Sequence, residues 1–500
     1  MNMEWENELK QDIPNLEKRM AANTQQVQTA IQGLKNNKRN SRPWLFSGAA
    51  VAVAIAFSVF AMQTNPWSSD TPPTTQALYQ TPSELNGTIK TSYTDQGEFR
   101  RDYGKLINQQ FPKLSITLST PRTPALKESY RESYDIMLKE QNPDLITISS
   151  DYEYKRLVSA GKLLNLDKYI NRDHLNLGEI LPSSIQALKD RGKGSIYGLA
   201  PTFNSRSLLY NKTLFDQYHI PYPTDQMSWD EILDLAKQFP TANKEKDRIY
   251  GFHEMYMSSN SPVYLINMIA NTNGLKFMNA EATQVTMDGK EWNHVFHLAL
   301  EGYQSGLFHK PATIILKDNQ IMPHNLKAMD LFTSGKAAMT LDSTEYYIRK
   351  STQALGFKVG IVTPPTSKEV PNTNTFFSNG QIFAIPAKAA NPDAAWEVIK
   401  YVNSEAVAKI KTQMNSGLTT HLSVLHSLKY EGIDAFYKMK NVTSSLYDFP
   451  VLPKNDFTRY FDAIIEDEIA KVMSGKQTIE EAQANIQKRE QSNMNKSNAE

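Results

Sequence analysis

Residues 198–215 read GLAPTFNSRSLLYNKTLF. The apolar pair Leu208-Leu209 ends abruptly at Tyr210-Asn211-Lys212, where a helix-like pattern begins. Just upstream, Pro201 and Asn204 break what would otherwise be one continuous strand, because proline has no N–H to give a sheet ladder. The stretch predicts a strand that stops, restarts and opens directly into a helix.

The chain on either side alternates strand and helix. Upstream, GTIKTSYTDQG gives a strand over Thr88 to Tyr93, and a helix follows with Tyr103, Leu106, Ile107 and Phe111 on its apolar face. LSITLST alternates at Leu114, Ile116 and Leu118, and PDLITISSD is apolar through Leu145, Ile146 and Ile148. That order signals parallel α/β architecture, in which ligands sit beyond the carboxyl ends of strands. Tyr93, Asp95, Asp151 and Tyr152 fall at such ends. Downstream, Ser228 and Glu231 stand in capping-box positions before the apolar face of SWDEILDLAKQF. Asn391 is placed to cap the helix of NPDAAWEVIKYVNS.

Composition narrows the function classes. Five hundred residues exceed one core and imply several domains. A net charge of +1, with no dominant basic block, argues against nucleic acid as a partner. With no cysteine, disulfides, thiolate nucleophiles and Cys-ligated zinc are excluded. His294 and His297 stand at helical spacing with no third ligand nearby in sequence, so no metal is expected. Serine-elbow, Walker and HExxH patterns are missing, and nothing pairs two carboxylates as acid and nucleophile. No cofactor and no catalysis are expected.

The N-terminal region predicts a membrane segment. Residues 44–62, WLFSGAAVAVAIAFSVFAM, carry no charge and would span roughly 28 Å as a helix, near the thickness of the hydrocarbon core. Lys35, Lys38, Arg39 and Arg42 precede it and the first charge after it is Asp70. The positive-inside rule then puts residues 1–43 in the cytoplasm and the large remainder outside. A cleaved signal peptide, with Val59-Phe60-Ala61 as its processing site, is the rival reading; the long segment before the apolar run favours an uncleaved single-pass anchor. Within residues 13–34, Ile13, Leu16, Met20, Asn23, Val27, Ala30 and Leu34 keep coiled-coil spacing, which allows self-association. An amphipathic helix on the inner membrane surface fits the same pattern. Residues 63–84, rich in Pro, Thr and Ser, read as a tether.

YGLAPTFNSRSLLYNKTLFDQYHI and SWDEILDLAKQF resemble the extracellular solute-binding proteins of bacterial ABC importers, in the maltose-binding-like branch. NPDLITISSDYEYKRLVSAGKLLNLDKYI, LFTSGKAAMTLDSTEYY, IFAIPAKAANPDAAWEVIKYVNS and IAKVMSGKQTIEEAQANI continue the resemblance in the family's order over about residues 85–490. The resemblance implies a two-lobed periplasmic-binding-protein-like (type II) α/β fold with a hinge, here preceded by one transmembrane helix and a short cytoplasmic helix. Lobe 1 would comprise about residues 85–203 and 381–428, and lobe 2 about 204–380 and 429–490. Pro201 to Ser205 then reads as the first hinge crossing. Ligand, a sugar or oligosaccharide in this branch, would bind between the lobes and close them, and permease subunits of an importer would be partners. Gram-positive members commonly carry a lipid-modified cysteine, which is missing here, so the membrane helix reads as a substitute anchor. The departure leaves an alternative, a ligand-sensing co-receptor that signals through the membrane helix.

A sugar site needs carboxylate or amide acceptors and aromatic rings. By rough alignment with the family the candidates are Asp95, Asp151, Asn204, Tyr264, Glu345, Tyr346, Tyr460 and Phe461, joined by Tyr93 and Tyr152 at their strand ends. For each aspartate the competing role is a helix cap or exposed strand end. For each aromatic it is core packing. Trp229 and Trp396 are expected in the core, and Tyr210 and Lys212 at a structural strand end.

Overall fold

The computed structural model describes residues 85–93, 96–119, 130–240, 248–253, 262–309, 330–351, 355–413, 418–443 and 455–499. The 13–34 heptads, the 44–62 apolar segment, the 63–84 tether and Asp95 lie outside the described residues. Among those described, no helix is long and apolar enough to cross a membrane.

The first part of the chain supplies strands β1 (Gly87–Ser92), β2 (Leu114–Ser119), β3 (Ile146–Ile148), β4 (Gly198–Leu199), β5 (Thr202–Asn204) and β6 (Arg206–Asn211). The rest supplies β7 (Tyr250–Phe252), β8 (Ala337–Ser343), β9 (Val359–Val362), β10 (Thr373–Asn374), β11 (Ser378–Asn379), β12 (Ile382–Ala384), β13 (Leu418–Thr419) and β14 (Asn441–Val442). β1 and β2 run parallel, and a parallel bridge from Thr91 to Leu145 joins them to β3. β12 enters antiparallel between β3 and β4. A second sheet has the order β7-β8-β6-β9.

Each sheet has its own apolar core. One gathers Ile89, Ile146, Ile148, Leu199, Phe383 and the fully buried Trp396. The other gathers Leu208, Trp229, Phe252, Phe296, Met339 and Ile486. β6 sits between β8 and β9 with all residues after Arg206 buried, which is why its run reads as continuous rather than alternating. Trp229 and Trp396 are core residues as expected, at 1% and 0% exposure.

Local chemistry sets the element ends. The Ser228 hydroxyl and the Glu231 carboxylate form the predicted reciprocal capping box. Asn211 ends β6 and caps the next helix, accepting from Leu214 N–H at 3.2 Å, while Lys212 pairs with Glu431 at 3.1 Å. Asn391 departs from expectation: it stands at the cap position but makes no side-chain cap bond. Its N–H and amide go to Asp144 instead, at 2.8 and 3.4 Å. The last helix, Ile479–Ala499, carries Gln483, Gln487 and Gln491 one turn apart. Gln487 and Gln491 accept from the N–H groups of Met287 and Val285, each at 2.8 Å. Gln487 and Gln483 donate back to the carbonyls of Val285 and Met287. A helix face thus satisfies an extended segment as a neighbouring strand would.

Candidate functional site

The opening stretch is where the chain leaves one sheet for the other. β4 belongs to the first sheet and β6 to the second; between them β5 forms a small sheet of its own, central between β11 and β13. Phe203 is opposite Asn379 on one side and Leu418 on the other. The return passage uses β11, two residues before β12 re-enters the first sheet. Pro201 sits at the start of the crossing with no N–H to satisfy, and its carbonyl accepts from Thr420 N–H at 3.0 Å and Thr419 hydroxyl at 3.3 Å. The two passages touch so closely at Gly380 that a Cβ there would lie 2.3 Å from the Thr202 hydroxyl.

A buried polar cluster braces these strands. Asn379, 2% exposed, donates from Nδ2 to the Asp151 carboxylate at 3.2 Å and accepts from the Ser184 hydroxyl at 2.5 Å. Arg191 approaches the same carboxylate at 3.6 Å. Asp151 opens the helix Asp151–Ser159 just beyond β3, and Ser150 caps that helix. It follows the carboxyl end of β3, and its carboxylate reaches β11 on the return crossing. Tyr152 beside it is half-buried.

On the other side, Arg206 begins β6 opposite Ser343, at the carboxyl end of β8. Its guanidinium donates to the Tyr264 hydroxyl at 2.5 Å and stands 5.9 Å from that ring's centre. Tyr264 is half-buried near the start of the helix Val263–Thr272. Asn204 and Glu345 are exposed, the first on the hinge strand and the second in the first turn after β8. Arg206 and Tyr264 thus meet at one end of the second sheet, with Asn204 two residues before Arg206 on β5 and Glu345 two residues after Ser343.

Three other candidates are enclosed. Tyr93 is 1% exposed, donates to Asp102 at 2.9 Å and packs edge-on against Phe99 and Tyr103. Burial first, then the charges nearby, pushes its hydroxyl far above the usual tyrosine range. Tyr346 is 3% exposed and donates to Asp330 at 2.7 Å. Burial opposes ionisation of Asp330, yet hydrogen bonds from Thr333 and Tyr346 and the charge of Lys350 hold its carboxyl below the usual range. Phe461 packs edge-on to Phe277 at 4.6 Å in the second core. Tyr460 belongs to the helix Asn455–Met473, with its side chain outside the described set.

His294 and His297 meet carboxylates rather than each other. His294 Nε2 lies 2.8 Å from Asp230, and His297 bridges Glu301 and Glu480, each at 2.8 Å. No group of three or more metal-ligating side chains occurs among the described residues.

Sequence reasoning missed Arg206, Ser184, Arg191 and Asn379. Arg206 had a signal, a lone cation at the start of a buried strand next to a predicted crossing. Gly380 had one too, two residues before the short apolar strand β12. Ser184 and Arg191 are ordinary positions on the helix Pro182–Arg191 until the fold brings β11 to them.

The model of the bacterial extracellular solute-binding protein family matches residues 94–409, more than half of the chain. The chain belongs to that family. No curated protein matches the chain. Among solved structures, this solute-binding protein is similar to an ABC substrate-binding protein from Listeria monocytogenes in complex with cycloalternan. The identity is 19%, over 83% of this chain and 100% of that one, with a TM-score of 0.56. The GacH receptor of Streptomyces glaucescens, solved unliganded and with acarbose, is 18% identical over 82% and 99% of the two chains (TM-score 0.54). The sugar-binding protein MalE from Xanthomonas citri is 14% identical over 83% and 98% (TM-score 0.58). At these identities the likeness establishes the fold: two α/β lobes of periplasmic-binding-protein type, joined by the crossings described above.

Proposed function

We propose that this solute-binding protein captures a carbohydrate between its two lobes outside the cell and passes it unaltered to an ABC-type importer. The observation that carries the reading is family membership on a chain whose lobes are joined by adjoining crossings at 202–204 and 378–379, the arrangement a closing cleft requires. Carbohydrate as the solute is supported by the ligands named for the Listeria and Streptomyces proteins and by the sugar-binding description of the Xanthomonas one. It is supported as well by the residue types near the crossing. The Tyr264 ring offers a stacking face, and Asn204 and Glu345 offer hydroxyl partners. Tyr152, Asp95 and Tyr460 are proposed to complete the site, with Asp151 acting mainly on the hinge. The lobes are divided at about residues 203, 380 and 428. In this reading residues 44–62 anchor the protein, 63–84 hold it off the membrane and 13–34 allow self-association in the cytoplasm.

Titration of the purified protein with a panel of oligosaccharides tests the ligand class, because a bound ligand raises the melting temperature. At least one oligosaccharide is expected to do so. If none does while a peptide or an ion does, the carbohydrate reading fails. Protease applied to intact cells tests the anchor: it should remove the domain beyond Thr64 and spare residues 1–43. Recovery of mature protein from the medium with Met62 at its N-terminus would make residues 44–62 a signal peptide.

A further inference from the structure

A separate groove of about 720 Å³ lies on the first lobe between the helical stretch 96–110 and β2. Phe99, Ile116 and Leu118 contribute apolar surface, and Arg100, Lys105 and Lys113 stand exposed around it. Among the described residues, no aspartate or glutamate lines it. The helix beside it includes a π-helical turn, Arg100–Gly104, a wide turn often found at functional sites. Gly104 lines the groove at a point where a Cβ would press on the Phe99 ring at 3.0 Å.

The other wall is the outermost strand of the first sheet among the described residues. β2 pairs with β1 on one side and, among the described residues, with no strand on the other. Its sequence, Leu-Ser-Ile-Thr-Leu-Ser, has no charge to block pairing. The pairing side can be assigned. Tyr93 N–H donates to the carbonyl of Ser119 at 3.3 Å, so the peptide groups of Ser119 face β1. Alternation turns those of Thr117 and Ser115 the same way. The N–H and C=O groups of Ile116 and Leu118 therefore point outward, and both residues line the groove.

We propose that this groove receives an extended acidic segment of a partner protein, added to β2 as a further strand. Main-chain bonds to Ile116 and Leu118 would give the affinity, and the three cations would select acidic side chains. The inference stands independently of which solute the cleft takes.

The test is fluorescence anisotropy of the full-length protein with labelled peptides alternating Val with Glu, or Val with Lys. The Glu peptide is expected to bind, less tightly in high salt, and the Lys peptide is not. The double variant Arg100→Glu, Lys113→Glu changes only exposed side chains and should weaken binding by about tenfold or more. Ile116→Pro, which removes an outward donor without touching the β1 ladder, should weaken binding at low salt too, provided its melting temperature is kept. Equal binding of both peptides, or none of either, overturns the proposal. So does binding of inorganic polyphosphate with no peptide binding, which marks a small-anion site. Salt-sensitive dimerisation abolished by Ile116→Pro would make the occupant a second copy and also overturn it.

Discussion

Asp151 and Asn379 stand 228 positions apart in the chain and meet at the hinge, the asparagine donating to the carboxylate from both Nδ2 and its backbone N–H. One residue follows a strand of the first sheet, and the other lies on the return crossing. Ser184 donates to the same asparagine at 2.5 Å. The polar cluster thus ties the end of β3 to the strand by which the chain returns to the first sheet, and in the proposed closing motion that strand would flex.

Asn379→Ala takes one amide donor from the Asp151 carboxylate and removes the oxygen to which the buried Ser184 hydroxyl donates. Losing a buried hydrogen-bond partner in this way costs about 1–3 kcal/mol. Urea unfolding should show a lower midpoint, and the open and closed forms should redistribute in small-angle scattering with and without ligand. Unchanged stability together with unchanged scattering would remove the hinge role.

Tyr264 gives the sharpest test of the cleft. Tyr264→Ala should weaken binding of the cognate solute by about 1–3 kcal/mol, the usual cost of truncating an aromatic contact. Tyr264→Phe keeps the ring and loses the hydroxyl that accepts from Arg206, so it should cost less. Calorimetric titration of both variants decides the matter. Equal losses would mean that the hydroxyl, not the ring, meets the ligand.

Much of this fold was legible in the sequence, for particular reasons. Leu208 to Asn211 reads as a strand because it is central and buried, and Pro201 marks the crossing because proline cannot join a ladder. The Ser228 box is local chemistry and formed as expected. The site was less legible, since an aromatic residue near a strand end looks the same in sequence whether it faces ligand or core. Tyr93 and Tyr346 turn inward because Asp102 and Asp330 wait there to accept from their hydroxyls. Those partners sit 9 and 16 residues away, in directions only the fold sets. Asn379 was invisible for the same reason, its partners Asp151 and Ser184 both being distant in sequence.

Phe461 and Tyr346 should therefore affect stability and leave affinity alone. Phe461→Ala removes a ring packed on Phe277, and such truncations cost about 3–5 kcal/mol. Tyr346→Phe removes one donor to Asp330 and should cost about 1–3 kcal/mol. Denaturant titration measures the first effect and ligand titration the second. A variant that folds as stably as the parent yet binds more weakly would return that residue to the cleft.

His297 links the helix Lys290–Gln304 to the last helix, with Glu301 on one ring nitrogen and Glu480 on the other. The hydrogen bond to Glu301, then that to Glu480, raises its pKa above the usual histidine value against the opposing effect of partial burial. A folded-state pKa raised above the unfolded one stabilises fully below the unfolded value, about 6.5, and the benefit fades as pH rises through the folded value. The ring is 33% exposed, so solvent screening keeps the contribution small. Melting temperature should therefore decline modestly as pH climbs past neutrality, and His297→Gln should flatten that decline. An NMR titration of the ring should place its midpoint above about 6.5. A midpoint at or below that value would show that the two carboxylates do not hold the proton, and the pH dependence would have to come from another group.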